Sequence, residues 1–301
     1  MNLETRLFTV KGNTITENAT NRALVESIAR GAYPALVFYD LAPSVSIGRA
    51  QHSILDIDLE AVKRSKVALA RRDSGGQAVY LDESYLVFSL VGPRSLFGTD
   101  LTQLRKKFSV CMADTLKELG VPASFHMPDN VVIERGGAYQ TIGNSGQIIT
   151  SNAILVEGSL RYSHSGFDTM VSMLKTNGHP LHPYKEEIRS ALGAIKDYTK
   201  AGKEEVKSRL AKNIATVYGL KIYAGRLSEE EAMVAADLAH PIKVEQSLRN
   251  DDSYKSRGVC YLFLNGTNLV KGMSQILPYN QPSTAVDSTH TNIGGLQLHA
   301  S

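Results

Sequence analysis

The chain is poor in the features that mark several large protein classes. It has only two cysteines in 301 residues, Cys111 and Cys260, too few for a disulfide framework and without metal-ligand spacing. No apolar run approaches the roughly 20 residues a helix needs to span a bilayer. The opening Met1-Asn2-Leu3-Glu4-Thr5-Arg6 contains an acidic residue and lacks the apolar stretch of a signal peptide. Charge of one sign is also scarce, since 33 Lys and Arg against 30 Asp and Glu leave a net charge of +3. That excess is too small to argue for nucleic acid or an anionic membrane as partner. No Gly-Lys-Ser or Gly-Lys-Thr occurs, so there is no phosphate-binding P-loop. These absences leave a soluble, cytoplasmic protein as the expectation. At 43% hydrophobic residues the composition excludes a collagen-like or disordered chain.

What is present reads as an α+β domain followed by a smaller helical segment, without internal repeats. Ala35 to Tyr39 is a compact β-like run, and Ser44 to Ile47 alternates polar and apolar as a half-buried strand should. Leu59 to Arg64 reads as a short helix before a strand at Val67 to Ala70. Gly76 to Tyr80 and Tyr85 to Val91 read as a hairpin or consecutive sheet strands. From Asp100 to Leu119 the period becomes helical, with Leu104, Phe108, Cys111, Thr115 and Leu119 on one face and Gly120 as the stop. Cys111 on that face, and Cys260 in the apolar run Val259 to Leu264, read as buried structural thiols rather than nucleophiles. Val131 to Ile133, Gln140 to Ile142 and Ala153 to Val156 supply further strands. Beyond Phe167 the chain turns mainly helical: Val206, Leu210, Ile214 and Val217 mark a helix ended by Gly219. Ser228 with Glu231 forms a capping box that opens another, through Leu238. His179 and His182, each followed by proline and without a third ligand, read as a loop, and no metal is assigned.

Chemistry concentrates in Arg71-Arg72-Asp73-Ser74-Gly75-Gly76-Gln77-Ala78-Val79. Paired glycines let backbone N–H groups approach a ligand, and neighbouring guanidiniums offer charge-assisted bonds to a carboxylate or phosphoryl group. The same residues also suit a plain glycine hairpin with two surface arginines. Further Gly-containing stretches are Gly48-Arg49-Ala50-Gln51, Thr141 to Gln147, and Val156-Glu157-Gly158-Ser159.

In this order the segments resemble the biotin/lipoate protein ligase superfamily, in its lipoate–protein ligase and octanoyltransferase branch. Gly48, Arg49 and Gln51 match a Gly-Arg-x-Gln, and Arg71 to Val79 match an Arg-Arg-x-Ser-Gly-Gly-x-Ala-Val segment. Thr141 to Gln147 and Gly158-Ser159 stand for a Lys-Ile-x-Gly-type loop and a Gly-hydroxyl pair. The resemblance implies a mixed or antiparallel sheet flanked by helices, and lipoate or octanoate attached to a lysine of a lipoyl-carrier domain. Such carriers are glycine-cleavage H-protein-like or dehydrogenase E2-like, and ATP with Mg²⁺ is needed only if the protein is a ligase. The resemblance covers roughly residues 20–240; together with the polar, aperiodic sequence from Pro278 onward it divides the chain into a ligase-transferase-like domain at 1–225, a helical/strand extension at 226–277 and a flexible tail at 278–301. It assigns the carboxyl or phosphate cradle to Arg49, Arg71, Arg72, Ser74, Gly75, Gly76 and Ala78. Gly143, Asn144 and Ser145 become an opposing loop, and Gly158 allows close approach at the acyl head. A biotin ligase relative is less well matched, since it would carry a Gly-Arg-Gly type loop.

Three positions depart from the pattern. The central lysine expected at Thr141 is absent, the stretch Ser124 to Asn130 has no nucleophilic cysteine, and the histidine after the Ser-Gly-Gly strand is Leu81. His126 stands where the cysteine would be and is a candidate general base. Either another cation serves, with Lys175, Arg135 and Arg161 the nearest in sequence, or the chain is a non-catalytic acyl- or carrier-binding homologue. Losing a preorganised cation or donor from such a site costs about 2.7–4 kcal/mol of barrier.

Overall fold

Asn13 ends the first strand, Leu3–Gly12 (β1), and its side-chain oxygen accepts from the N–H groups of Ile15 and Thr16. This cap opens the helix Thr14–Ala29 (α1). The structure is a computed structural model that describes residues 3–241 apart from 99 and 177, together with 244 and 248. Strands Ala35–Leu41 (β2) and Ser44–Ile47 (β3) follow, then short helices Ser53–Asp56 (α2) and Leu59–Arg64 (α3), then Ala68–Arg71 (β4). Val79–Leu81 (β5) and Tyr85–Pro93 (β6) lead through Arg94–Phe97 (α4) into the long helix Leu101–Glu118 (α5). Four strands come next: Ala123–His126 (β7), Asn130–Arg135 (β8), Ala138–Ile149 (β9) and Ala153–Arg161 (β10). The chain continues through Phe167–Met173 (α6), the short pair Lys175–Thr176 (β11) and His179–Pro180 (β12), and Lys185–Ser190 (α7). Lys203–Tyr218 (α8), Leu220–Ala224 (β13) and Glu229–Leu238 (α9) complete it.

The main sheet has eight strands in the order β13-β1-β2-β6-β10-β9-β8-β7. It is parallel across β13, β1 and β2 and antiparallel from β2 onward. This is the mixed sheet flanked by helices that the resemblance implies. One face buries Phe38, Phe88, Leu160 and Ile142 against α5 and α8, through Phe108, Met112, Leu210 and Ile214. The other buries Val37, Tyr39, Val87 and Leu155 against Leu24, Val25 and Ile28 of α1. A second sheet, β4-β3-β5, packs on α3, α6 and α7 through Val45, Ile47, Val62, Phe167 and Ile188. Gly219 in the left-handed conformation ends α8, and the Ser228–Glu231 capping box opens α9, both as their sequence signals require. Among the described residues no helix is long and apolar enough to cross a membrane.

Several expectations need correction. β5 and β6 are consecutive but belong to different sheets, because the chain turns at Asp82, whose carboxylate accepts from Ser84 N–H at 2.8 Å. β3 is buried along its whole length rather than half-buried, and the Ser44 hydroxyl meets the burial by donating to Ala42 O at 2.9 Å. Thr141 to Gln147 is the interior of β9, not a loop. The polar β1 and its parallel neighbour β13 extend the sheet beyond what the apolar runs suggest. His179 and His182 fall in β12 and a single 3₁₀ turn, His182–Tyr184. Cys260, the 278–301 tail and most of the 226–277 extension lie outside the described residues.

Candidate functional site

Because β3 and β4 run parallel, the loops leaving Ile47 and Arg71 emerge side by side. Arg72 N–H donates to Ile47 O and Arg49 N–H to Ser74 O, both at 2.9 Å. A Cβ on Gly48 would stand 1.9 Å from Gly76 O, so the two backbones touch and only glycine fits. Gly76 itself has φ +91°, a conformation L side chains resist. Gly75 is different: the space where its Cβ would point is open and its φ is ordinary. Packing therefore gives no reason for glycine at that position.

The two arginines face inward. Arg71 clamps the first loop, its Nη1 donating to Gly48 O at 3.1 Å and Gln51 O at 2.7 Å. The Arg72 side chain is 11% exposed. Its Nη1 donates to Ser46 O at 3.1 Å, its Nη2 to Gly75 O at 2.8 Å and Gln77 O at 2.7 Å, and its Nε to Ser74 Oγ at 3.0 Å. Ser74, wholly buried, donates its hydroxyl proton to Glu157 Oε1, which lies 3.6 Å from Arg72 Nε. Glu17 of α1 joins the same charged group. Burial first, then the neighbouring Glu157 charge, push its carboxyl up to about 8, with Arg72 opposing. Glu157 is thus the anion beside this guanidinium while Glu17 keeps its proton, and Arg49 and Ala78 lie at the rim, the first exposed and the second half-buried.

Strand alternation sorts the remaining candidates by sheet face. Asn144 accepts from Ser159 Oγ at 2.9 Å, and a Cβ on Gly146 would meet Glu157 Oε1, so Asn144, Gly146, Glu157 and Ser159 share the α1-facing side. The opposite side carries three of the predicted residues. Gly143 makes room for Leu160, and Ser145 Oγ lies 3.0 Å from Ser109 Oγ on α5. A Cβ on Gly158 would meet Phe88 and Met112, so its close approach is to core side chains and not to an acyl head. The opposing loop of the sequence reading is therefore one strand whose residues divide between two faces. His126 sits on β7, at the far edge of the sheet, with its ring 5.1 Å from Tyr139. It is not brought together with the Ser-Gly-Gly turn.

A β-bulge decides where Thr141 points. Val131 pairs with Gly143 and Val132 with Thr141, leaving Ile142 as the extra residue. Ile142 enters the α5-side core, whereas Thr141 shares the face of Val132 and Asn144. Counted back from Gly143, the Lys-Ile-x-Gly spacing falls on Gln140, whose amide donates to Ser190 O at 2.9 Å. The Thr141 backbone is held by Ala191 O and Gly193 N–H at 2.9 and 3.0 Å. Cys111 is 3% exposed on α5, and burial first among its causes pushes the thiol up to about 12, which suits the structural role read from its helical spacing. Glu17 and Glu157 were not singled out from sequence. The one available signal was an acidic residue inside the apolar run around Val156.

Residues 15–215 match the lipoyl protein ligase A/B catalytic domain. The chain belongs to this family. It is 26% identical over 241 residues to lipoate-protein ligase A subunit 1 of Thermoplasma acidophilum, covering 77% of this chain and 90% of the relative. Identity to the octanoyltransferase LipM of Moorella thermoacetica is 28% over 230 residues, 66% of this chain and 80% of that one. With Bacillus subtilis lipoate-protein ligase LplJ it is 30% over 182 residues, and the match spans 53% of that protein. Among solved structures, the bi-partite lipoate protein ligase of T. acidophilum, described with its E2 lipoyl domain, superposes with a TM-score of 0.72. That match has 25% identity and covers 79% of this chain and 93% of the other. A lipoate-protein ligase A bound with ATP shares the fold, with a TM-score of 0.67 at 23% identity over 80% of this chain and 95% of that one.

Proposed function

We propose that the protein attaches lipoate or octanoate to a lysine of a lipoyl-carrier domain in the cytoplasm. The observation that carries this is the family match over 15–215, a span that includes the touching Gly48 and Gly76 loops and the polar face of β9 and β10. Relatives along this span are named as lipoate ligases and octanoyltransferases, and one solved relative is described with an E2 lipoyl domain. The acid enters past the Ser-Gly-Gly turn, where the open side of Gly75 leaves room for it. Asn144 and Ser159 line the sheet side of that space.

A ligase route from free acid, ATP and Mg²⁺ fits better than a thioester relay. Cys111 is buried with its thiol proton held tightly, so it is a poor nucleophile. The carriers envisaged are E2-like and H-protein-like domains. The test is to incubate the protein with either lipoate or octanoate, Mg-ATP and a lipoyl-carrier domain, and to follow the carrier by mass spectrometry. A parallel reaction offers an octanoylated carrier as donor without ATP. A mass increase only in the ATP reaction supports the ligase, and one only in the other supports a transferase. No increase in either refutes acyl attachment and leaves the non-catalytic acyl- or carrier-binding homologue.

A further inference from the structure

Arg161 closes the row of side chains on the α1-facing side of β10, two residues beyond Ser159 and four beyond Glu157. It is 5% exposed. Its guanidinium lies over the Tyr85 ring, 4.7 Å from the centroid, and Nη2 is 3.6 Å from Met170 Sδ. Among the described residues no carboxylate makes an ion pair with it. Asp82, which acts electrostatically on the Tyr85 hydroxyl, directs its carboxylate to Ser84 N–H and Ser84 Oγ. A buried guanidinium held by a thioether, an aromatic ring and the Tyr85 hydroxyl, but by no anion among the described residues, favours an anionic ligand.

The strand ladder fixes its neighbour. Ser159 pairs with Asn144 and Leu160 with Gly143, so Arg161 stands one step beyond the last pair of the β9–β10 ladder. The bulge at Ile142 makes Thr141 the next β9 residue on that face. Arg161 therefore lies beside the position where the resemblance expects the missing lysine. The other two cations considered from sequence are placed elsewhere: Arg135 is exposed at the tip of the β8–β9 hairpin, and Lys175 belongs to the separate β11–β12 ladder. Arg72 is already matched by Glu157 and by its own loop carbonyls.

We infer that Arg161 is the cation that receives the carboxylate of the medium-chain acid, in place of both Arg72 and the absent lysine. The acid carboxylate lies against the guanidinium, with Ser159 and Asn144 beside it on the same face and the Tyr85 ring beneath. The inference rests on the acyl-attachment reading and adds the residue that selects a charged head.

The experiment is calorimetric titration of the full chain with octanoate and with its uncharged analogue octanamide. Wild type, Arg161→Met and Arg161→Lys are compared, each checked for folding by circular dichroism. Octanoate affinity is expected to fall roughly ten- to hundredfold in Arg161→Met, the worth of a charged hydrogen bond. Octanamide should change less than about twofold, and Arg161→Lys should keep most of the octanoate affinity. Unchanged octanoate binding in folded Arg161→Met, or equal losses for both ligands, overturns the assignment. If Arg161→Met fails to fold, the wild-type complex with carboxyl-¹³C octanoate decides. A bound carboxyl that stays ionised well below the ordinary carboxylate range supports Arg161, and one that becomes harder to ionise on binding, as expected beside Glu157, refutes it. Failure of the wild type to bind either ligand instead overturns the acyl-site reading itself.

Discussion

The ion pair between β1 and α9 offers a quantitative test of how the helical end of the described chain is tied to the sheet. Arg6 Nη1 lies 2.6 Å from Glu231 Oε2 and Arg6 Nη2 lies 2.8 Å from Glu231 Oε1, with side chains 11% and 1% exposed. Glu231 also accepts from Ser228 N–H at 2.8 Å, as the cap of α9, and from Ser27 Oγ at 2.7 Å, from α1. Burial by itself would raise the Glu231 carboxyl. The bonds from Arg6, Ser228 and Ser27 and the Arg6 charge outweigh it and bring the group down to about 2 from an ordinary 4.5. Such a difference is worth about 3 kcal/mol of stability at neutral pH.

Glu231→Gln keeps an oxygen for the cap but removes the charge, leaving Arg6 buried without its anion. We expect a loss of about 3 kcal/mol at pH 7, read by urea denaturation. The depressed group stabilises the fold above its unfolded pKa and loses that contribution as pH falls through the folded one. The gap between wild type and variant should thus be full above pH ~4.5 and close as pH approaches about 2. Adding Arg6→Met should recover part of the loss, because the unpaired guanidinium is then gone. A neutral-pH gap under about 0.5 kcal/mol, the size of an ordinary surface substitution, would refute the reasoning, as would a gap that ignores pH.

Further outcomes follow from the site and the core beneath it. Cys111→Ser should cost about 1–3 kcal/mol by burying a hydroxyl, while acyl transfer persists and no thioester forms on Cys111 by mass spectrometry. Gly48→Ala should cost about 1–3 kcal/mol or more, because its Cβ meets the Gly76 carbonyl; Gly75→Ala should keep the melting temperature and weaken only octanoate binding. Glu17 holds a proton in the folded chain that the unfolded chain releases near 4.5, so wild-type stability should decline as pH rises from there to about 8. Glu17→Gln should flatten that decline in pH-dependent denaturation. Thr141→Lys places a second cation beside Arg161 on the site face, and single-turnover transfer should rise. A fall would refute the placement of Thr141 in the site.

Apolar runs made β2, β6, β8 and β10 legible, and spacing with terminal signals gave α5, α8 and α9, because each of these elements buries a continuous face. β1 was not legible: Glu4, Arg6 and Lys11 interrupt its pattern, and its place in the sheet comes from parallel pairing with β2 on one side and, on the other, with β13 more than two hundred residues away. α1 is rich in Thr and Asn, and its buried Glu17 is met by retention of its proton near Glu157 and Arg72, which arrive from other segments. β9 looked like a turn because Gly143 and Gly146 are small, yet each is small to admit Leu160 or Glu157 from the neighbouring strand. Read from sequence, Gly75 and Gly76 open the backbone to a ligand; that Gly76 instead meets Gly48 of a second loop was not legible, because it depends on the parallel pairing of β3 with β4. Sequence also did not reveal that both arginines turn inward, since that depends on carbonyls of Ser46, Gly48 and Gln51.

The extra residue at Ile142 acts as a phase change within β9. In an uninterrupted strand, counting back from Gly143 would present Ile142 and Gln140 to the α1 side and hide Thr141 in the core. The bulge reverses that parity for everything on its N-terminal side and leaves Asn144 and Gly146 untouched. Deleting Ile142 should straighten the strand, sacrifice one core side chain and still present Thr141. Inserting a residue beside it should exchange the presented side chain while the fold stays the same. Position-by-position comparison of this strand with a relative lacking the bulge is therefore out of step by one residue, at the very place where a single charge is being sought.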